Sequence, residues 1–173
     1  MPRMDISGAA KALSLIGVGV AADQLTKRWA ESALRARTIE IIPQALKFEY
    51  AENHNAAFGI GQSLPDSVKV YVLLALTIGL SVGLFIAMLR SEDVASRWGY
   101  GITVAGALGN ILDRWLLGHV RDFILLWHGS FRWPNFNVAD TLVCIGVGVL
   151  LVFGGRRGER QGEKVTGERS RAP

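Results

Sequence analysis

The polar residues with chemical potential in this chain are Asp23, Asn53, Asn110, Asp113, Arg114, Asp122, Asn137 and Asp140, set among long apolar runs. Two carboxylates brought together in a partly dry site cannot both ionise cheaply, so one keeps a proton and the other serves as base. Such a pair can activate water against a peptide carbonyl. Asp122 is one candidate, because in "GHVRDFILLW" it interrupts an apolar run with only Arg121 as an adjacent charge. Asp140 in "FNVAD" is another, standing just before an apolar segment. Asp113 in "GALGNILDRW" competes with them on spacing alone.

Each candidate also has a plainer reading. Asp122 reads equally as a solvated loop carboxylate. Asn137 and Asp140 have the spacing of a capping pair, in which each side chain satisfies open backbone amides at a helix start. Asn110, Asp113 and Arg114 fall three and four residues apart and can share one helix face, where Asp113 would neutralise Arg114. Asp23 reads as a helix-end anchor. His54, His119 and His128 are scattered at no metal-ligand spacing and are expected in ordinary polar or interfacial roles. There is no Gly-rich phosphate loop, no Ser-His-Asp order and no HExxH; "GVGVAAD" is helix packing rather than a nucleotide site. No cofactor or metal is called for.

The elements that must position these residues follow from composition. Half of the 173 residues are hydrophobic and a fifth are charged, a profile of a small membrane protein. Apolar stretches at about 9–29, 68–89, 98–116 and 138–153 each approach the ~20 residues a helix needs to cross ~30 Å of hydrocarbon. The first runs into Asp23 and Lys27 without a small-residue cleavage pattern, so a cleavable signal peptide is not expected. Of the 19 Lys and Arg residues, six lie in 156–173, which predicts a disordered cytoplasmic tail beyond a single membrane domain over 1–155. This distribution is no nucleic-acid stripe. Four spans put both termini in the cytoplasm and the segments 30–67 and 117–137 outside. In the first, β-leaning runs flank Pro43 and predict a small strand pair. In the second, Trp127, Phe131 and Trp133 suit the lipid–water interface. Cys144 has no cysteine partner and reads as helix packing.

With this topology every singled-out polar residue lies at the outer membrane face. Groups of that kind cost about 2.5–3.5 kcal/mol each on insertion scales and usually mark function. An ion or proton transporter is the rival class, but the inner half of each span is nearly uncharged and no polar path crosses. A metal-dependent lipid-head-group transferase would need a tight carboxylate cluster that the chain lacks.

The motifs "DQLTKRW" (23–29), "NHNAAFGI" (53–60), "GALGNILDRW" (106–115), "GHVRDF" (118–123) and "FNVAD" (136–140) together resemble lipoprotein signal peptidase, the bacterial signal peptidase II. The likeness covers about residues 12–153. It implies an all-α membrane protein of four transmembrane helices with a small extracytoplasmic β-cradle and an amphipathic periplasmic helix. It further implies an aspartyl endopeptidase of the bacterial inner membrane, active at its periplasmic face. Such enzymes cut diacylglyceryl-modified prolipoproteins N-terminal to the lipidated cysteine and are inhibited by globomycin. Carried over by motif, the catalytic dyad falls on Asp122 and Asp140, with Asp23, Asn53, Asn110, Asp113, Arg114 and Asn137 supporting the site. The implied partners are the prolipoprotein and membrane lipid, and the expected state is a monomer without nucleic acid. Two positions depart from the family pattern. Asn55 stands where Gly is usual, and Arg121 precedes the first dyad Asp where an apolar residue is common. Arg121 facing the site would favour Asp122 as base, whereas snorkelling outward it would do little. A carboxylate at the start of a helix meets the positive end of its dipole, which favours Asp140 as base and Asp122 as acid, while Arg121 facing the site would favour the reverse.

Overall fold

The computed structural model describes residues 6–54 and 65–154. Four helices carry the apolar runs: α1 (Ile6–Leu34), α2 (Asp66–Arg90), α3 (Val94–Leu117) and α4 (Val138–Phe153). The first three run past the predicted limits because backbone hydrogen bonding continues beyond the apolar residues. Asp93 caps α3 by accepting from the Ser96 amide at 2.7 Å, and Gly118, at φ 77°, ends it in the left-handed conformation that a glycine adopts without strain. Asn137 and Asp140 form the reciprocal capping box of α4.

Among the described residues, four antiparallel strands accompany the helices, in the order β1 (Ile39–Ile42), β2 (Leu46–Asn53), β3 (Val120–His128) and β4 (Phe131–Arg132). The pair flanking Pro43 is β1 and β2. Strand β3 replaces what the sequence presents as a loop: it pairs along β2 with Phe48 opposite Ile124, Ala51 opposite Asp122 and Asn53 opposite Val120. The sheet rests on α1 through Trp29, Phe48 and Phe123, whose rings meet edge to face with centroids 5.8–6.1 Å apart. Phe131 and Trp133 remain largely exposed at the β4 turn. The implied amphipathic helix is not among the described residues, and Asn55 and the tail 156–173 lie outside them.

Polarity is inverted relative to a water-soluble bundle. Asp23, Lys27, Asp113 and Asn137 are wholly buried, while Val18, Leu76, Leu80, Trp115 and Leu151 stand exposed on the helix exteriors. An apolar exterior around a polar interior is the arrangement that lipid favours. Among the described residues, Val68–Arg90 is the one helix long and apolar enough by itself to cross a membrane; Val138–Phe153 is apolar but shorter. Helices α1 and α3 also carry charges, of which Asp23, Lys27 and Asp113 are turned inward while Lys11 and Arg28 are exposed.

The small residues of α3 allow this close assembly. A Cβ on Gly106 would meet the Ala139 carbonyl oxygen, and one on Gly109 would meet the Asp23 carboxylate. The backbones of α3, α4 and α1 therefore converge where the polar side chains gather.

Candidate active site

The polar cluster is built where the C-terminal parts of α1 and α3 meet the start of α4 beneath β3. Asp122, on β3, is 1% exposed and accepts from Asn53 Nδ2 at 2.9 Å and from Asn137 Nδ2 at 2.6 Å. Asp140, in the first turn of α4, accepts from Asn110 Nδ2 at 2.8 Å and from the Asn137 amide at 3.2 Å. Asn137 thus touches both carboxylates, and its Nδ2 also donates to Asn110 Oδ1 at 3.2 Å. The two Asp residues and three of the expected supporting residues, Asn53, Asn110 and Asn137, form one connected set.

Asp23 and Asp113 occupy a second layer, reached through Lys27. The Lys27 ammonium is wholly buried, bridging Asp23 at 2.9 Å and Asp113 at 3.5 Å and donating to Asn110 Oδ1 at 2.9 Å. Asp23 also accepts from the Ala139 amide at 2.9 Å, which fixes the start of α4 against α1. Lys27 was missed in the sequence, although its i,i+4 spacing from Asp23 was a signal. Gln24 was missed too; it donates to Asp113 Oδ1 at 3.0 Å.

Asp113 does not neutralise Arg114, as the shared helix face predicted. Its partner is Arg121, whose Nη2 lies 2.7 Å from Asp113 Oδ1 and whose amide donates to Asp113 Oδ2 at 2.9 Å. Arg121 Nη1 also reaches Glu31 at 3.1 Å. Neither orientation expected for Arg121 is therefore found, since it faces neither the dyad nor lipid. Successive residues of a strand point to opposite faces, so placing Asp122 against Asn137 sends Arg121 to α1 and α3.

The Arg114 guanidinium makes no hydrogen bond or ion pair among the described residues; its backbone carbonyl accepts from Gly118 at the end of α3. Its charge nevertheless interacts with those of Asp140 and Asp122. It borders a cavity of about 420 Å³ together with Val70, Tyr71, Leu74, Trp115 and Gly118, between α2 and α3.

Burial, and secondarily the nearby charge of Asp140, raise the Asp122 pKa from 3.8 to about 7; the amides of Asn53 and Asn137 oppose this without cancelling it. Near neutrality Asp122 therefore sits at the midpoint between acid and carboxylate.

The histidines divide. His128 Nδ1 lies 3.3 Å from the Gln44 carbonyl oxygen at the rim of the sheet. His54 and His119 lie beside each other, with ring centroids 5.2 Å apart, because β2 ends where β3 begins. Sequence separation concealed that proximity.

Residues 15–154 match the family model described as signal peptidase (SPase) II. A lipoprotein signal peptidase of Clostridium novyi is 37% identical over 147 residues, covering 84% of this chain and 97% of the relative. That of Syntrophotalea carbinolica is 33% identical over 142 residues, covering 82% and 88%. A solved bacterial membrane enzyme, determined by the in meso method, superposes with a TM-score of 0.71 at 28% identity, covering 83% of this chain and 86% of its own.

Proposed function

The chain belongs to the signal peptidase II family, and from that premise we propose that it is an aspartyl endopeptidase working through Asp122 and Asp140. Its substrate is a diacylglyceryl-modified prolipoprotein, cut on the N-terminal side of the lipidated cysteine. The observation that carries this reading is that one buried residue, Asn137, bonds both carboxylates, its side-chain Nδ2 donating to Asp122 and its backbone N–H to Asp140. Such a bridge holds two acids near one another without supplying a cation that would let both ionise.

Asp140, at the positive end of α4, is the base that takes a proton from water as its oxygen attacks the scissile carbonyl. Asp122 is the acid that hydrogen-bonds the carbonyl oxygen as charge develops on it. Its raised pKa supports that assignment. Arg114 and Asn53 hold the substrate backbone, and the cavity beside Arg114 gives an acyl chain a path between α2 and α3. Asp23, Lys27, Asn110 and Asp113 keep the helices in register. All four helices cross the cytoplasmic membrane of a bacterium with both termini inside. A cysteine lipidated in the outer leaflet then arrives at the depth of the dyad.

The test is cleavage of a diacylglyceryl prolipoprotein by the purified protein, followed as a gel shift. Cleavage is expected with the lipidated form, not with the unlipidated form, and is expected to stop with globomycin. Equal cleavage of both forms would overturn the substrate assignment, and proteoliposome ion flux dependent on Asp122 would favour a transporter instead.

A pH dependence follows from the same residue. The one-proton state of the dyad exists while Asp122 holds its proton, so it persists below about pH 7 and is lost as pH rises through that value. Turnover at saturating substrate is expected to fall towards alkaline pH with an apparent pKa about 7, approaching tenfold per pH unit well above it. A flat profile between pH 6 and 9 would contradict the acid role of Asp122.

A further inference from the structure

We propose that Glu52, His54 and His119 form a binding site for a borderline-soft divalent cation, Zn²⁺ foremost, on the sheet beside the dyad. One ligand atom from each of these residues lies within 4.8 Å of the other two. His119 Nε2 and Glu52 Oε1 are 3.8 Å apart. The edge of a tetrahedron with zinc bonds of ~2.0–2.1 Å is ~3.4 Å, so side-chain rotation alone can bring the set to ligating distance. Two imidazoles with a carboxylate are a donor set that suits zinc and leaves a fourth position for water.

A second observation points to a ligand. His119 Nε2 is buried and has no hydrogen-bond partner among the described residues, although Glu52 stands just beyond hydrogen-bond reach. A buried imidazole nitrogen without a partner is costly, and a metal bond would satisfy it. Glu52 has other contacts: Tyr50 Oη donates to its Oε1 at 3.3 Å and Arg35 Nη2 lies 3.6 Å from it. Glu52 is 38% exposed, so water screens these contacts and a cation can displace them.

The position is next to the proposed chemistry. Glu52 and His54 flank Asn53, which donates to Asp122, and His119 precedes β3, which carries Asp122. A bound cation would tie the end of β2 to the start of β3 and hold Asn53 against the dyad. Binding itself requires no peptidase activity, so the site and the proposed function can fail separately.

The experiment uses the tag-free, full-length protein in detergent, stripped with chelator and titrated with zinc chloride against a chromophoric zinc indicator. One equivalent is expected to bind and to raise the thermal midpoint. His54→Gln and His119→Gln are each expected to weaken binding at least about tenfold, the lower range seen even for outer-shell losses at metal sites. Glu52→Gln changes an exposed side chain, so it serves as the variant whose folding is safest. Magnesium at the same concentration is expected to leave the midpoint unchanged, because it prefers oxygen ligands. Absence of saturable zinc binding, or equal binding by wild type and all three variants, would overturn the site.

Discussion

Asp122→Asn and Asp140→Asn are each expected to reduce prolipoprotein cleavage by about 10³-fold or more while leaving the protein folded in detergent or membrane. General acid and base groups contribute roughly 10²–10⁴-fold each, and loss of either leaves a pair that cannot both accept and donate a proton. Both substitutions are nearly isosteric. Asn at 140 retains an oxygen for the capping contact with the Asn137 amide, and Asn at 122 retains one for the Asn137 side chain. The fold should therefore survive, as circular dichroism and the thermal midpoint would report. The double variant should be scarcely worse than either single one, because the two groups act as a unit. Wild-type turnover by either single variant would remove the dyad from the mechanism. Loss of activity with loss of folding would instead identify a structural residue.

The second large effect concerns Lys27. Lys27→Met should lower stability by about 3–5 kcal/mol, since removing one partner of a buried ion pair leaves its counter-charges uncompensated. Here those are Asp23 and Asp113, both wholly buried, with only Asp113 still served by Arg121. For a chain of this size the loss corresponds to a fall of about 10 °C in the thermal midpoint. Arg35→Met is the control, because its pair with Glu31 is solvent-exposed and such pairs contribute roughly 0–1 kcal/mol. Adding Asp23→Asn to Lys27→Met should recover part of the loss by removing one orphaned charge. A Lys27→Met protein as stable as wild type would show that the buried charges rearrange or neutralise at little cost.

These two expectations separate the layers of the polar cluster. Asp122, Asp140, Asn137, Asn110 and Asn53 are linked by amide hydrogen bonds and contain no cation. Arg121 is committed to Asp113 behind them, and Lys27 to Asp23 and Asp113, with one further bond to Asn110 Oδ1 rather than to either dyad carboxylate. A cation within bonding distance of the dyad would favour ionisation of both carboxyls and defeat the sharing of one proton. Arg114 acts on the dyad only through its field.

Residue type and local spacing were sufficient for much of this. Apolar runs specified the four helices, because a helix in lipid or against other helices needs little more than uninterrupted apolar length. Asn137 and Asp140 declared their capping box, a contact between residues three apart. Pro43 between β-leaning runs declared the first hairpin. The motif set carried the family, and from it come the eight site residues on which the proposed function rests.

What the sequence by itself could not determine depends on which strand lies beside which. Asp122 reads as a solvated loop carboxylate, yet it and Arg121 are both buried, because β3 is covered on each face by partners distant in the chain. Only the pairing of β2 with β3 decides that Arg121 turns to Asp113 while Asp122 turns to Asn137, and that His54 meets His119. Likewise, Asp113 had Arg114 as its neighbour in sequence but found Arg121 and Lys27 in space. Local spacing determines contacts within one helix turn or cap; contacts between elements are decided by packing, where backbone approach at Gly106 and Gly109 sets which side chains share a buried volume.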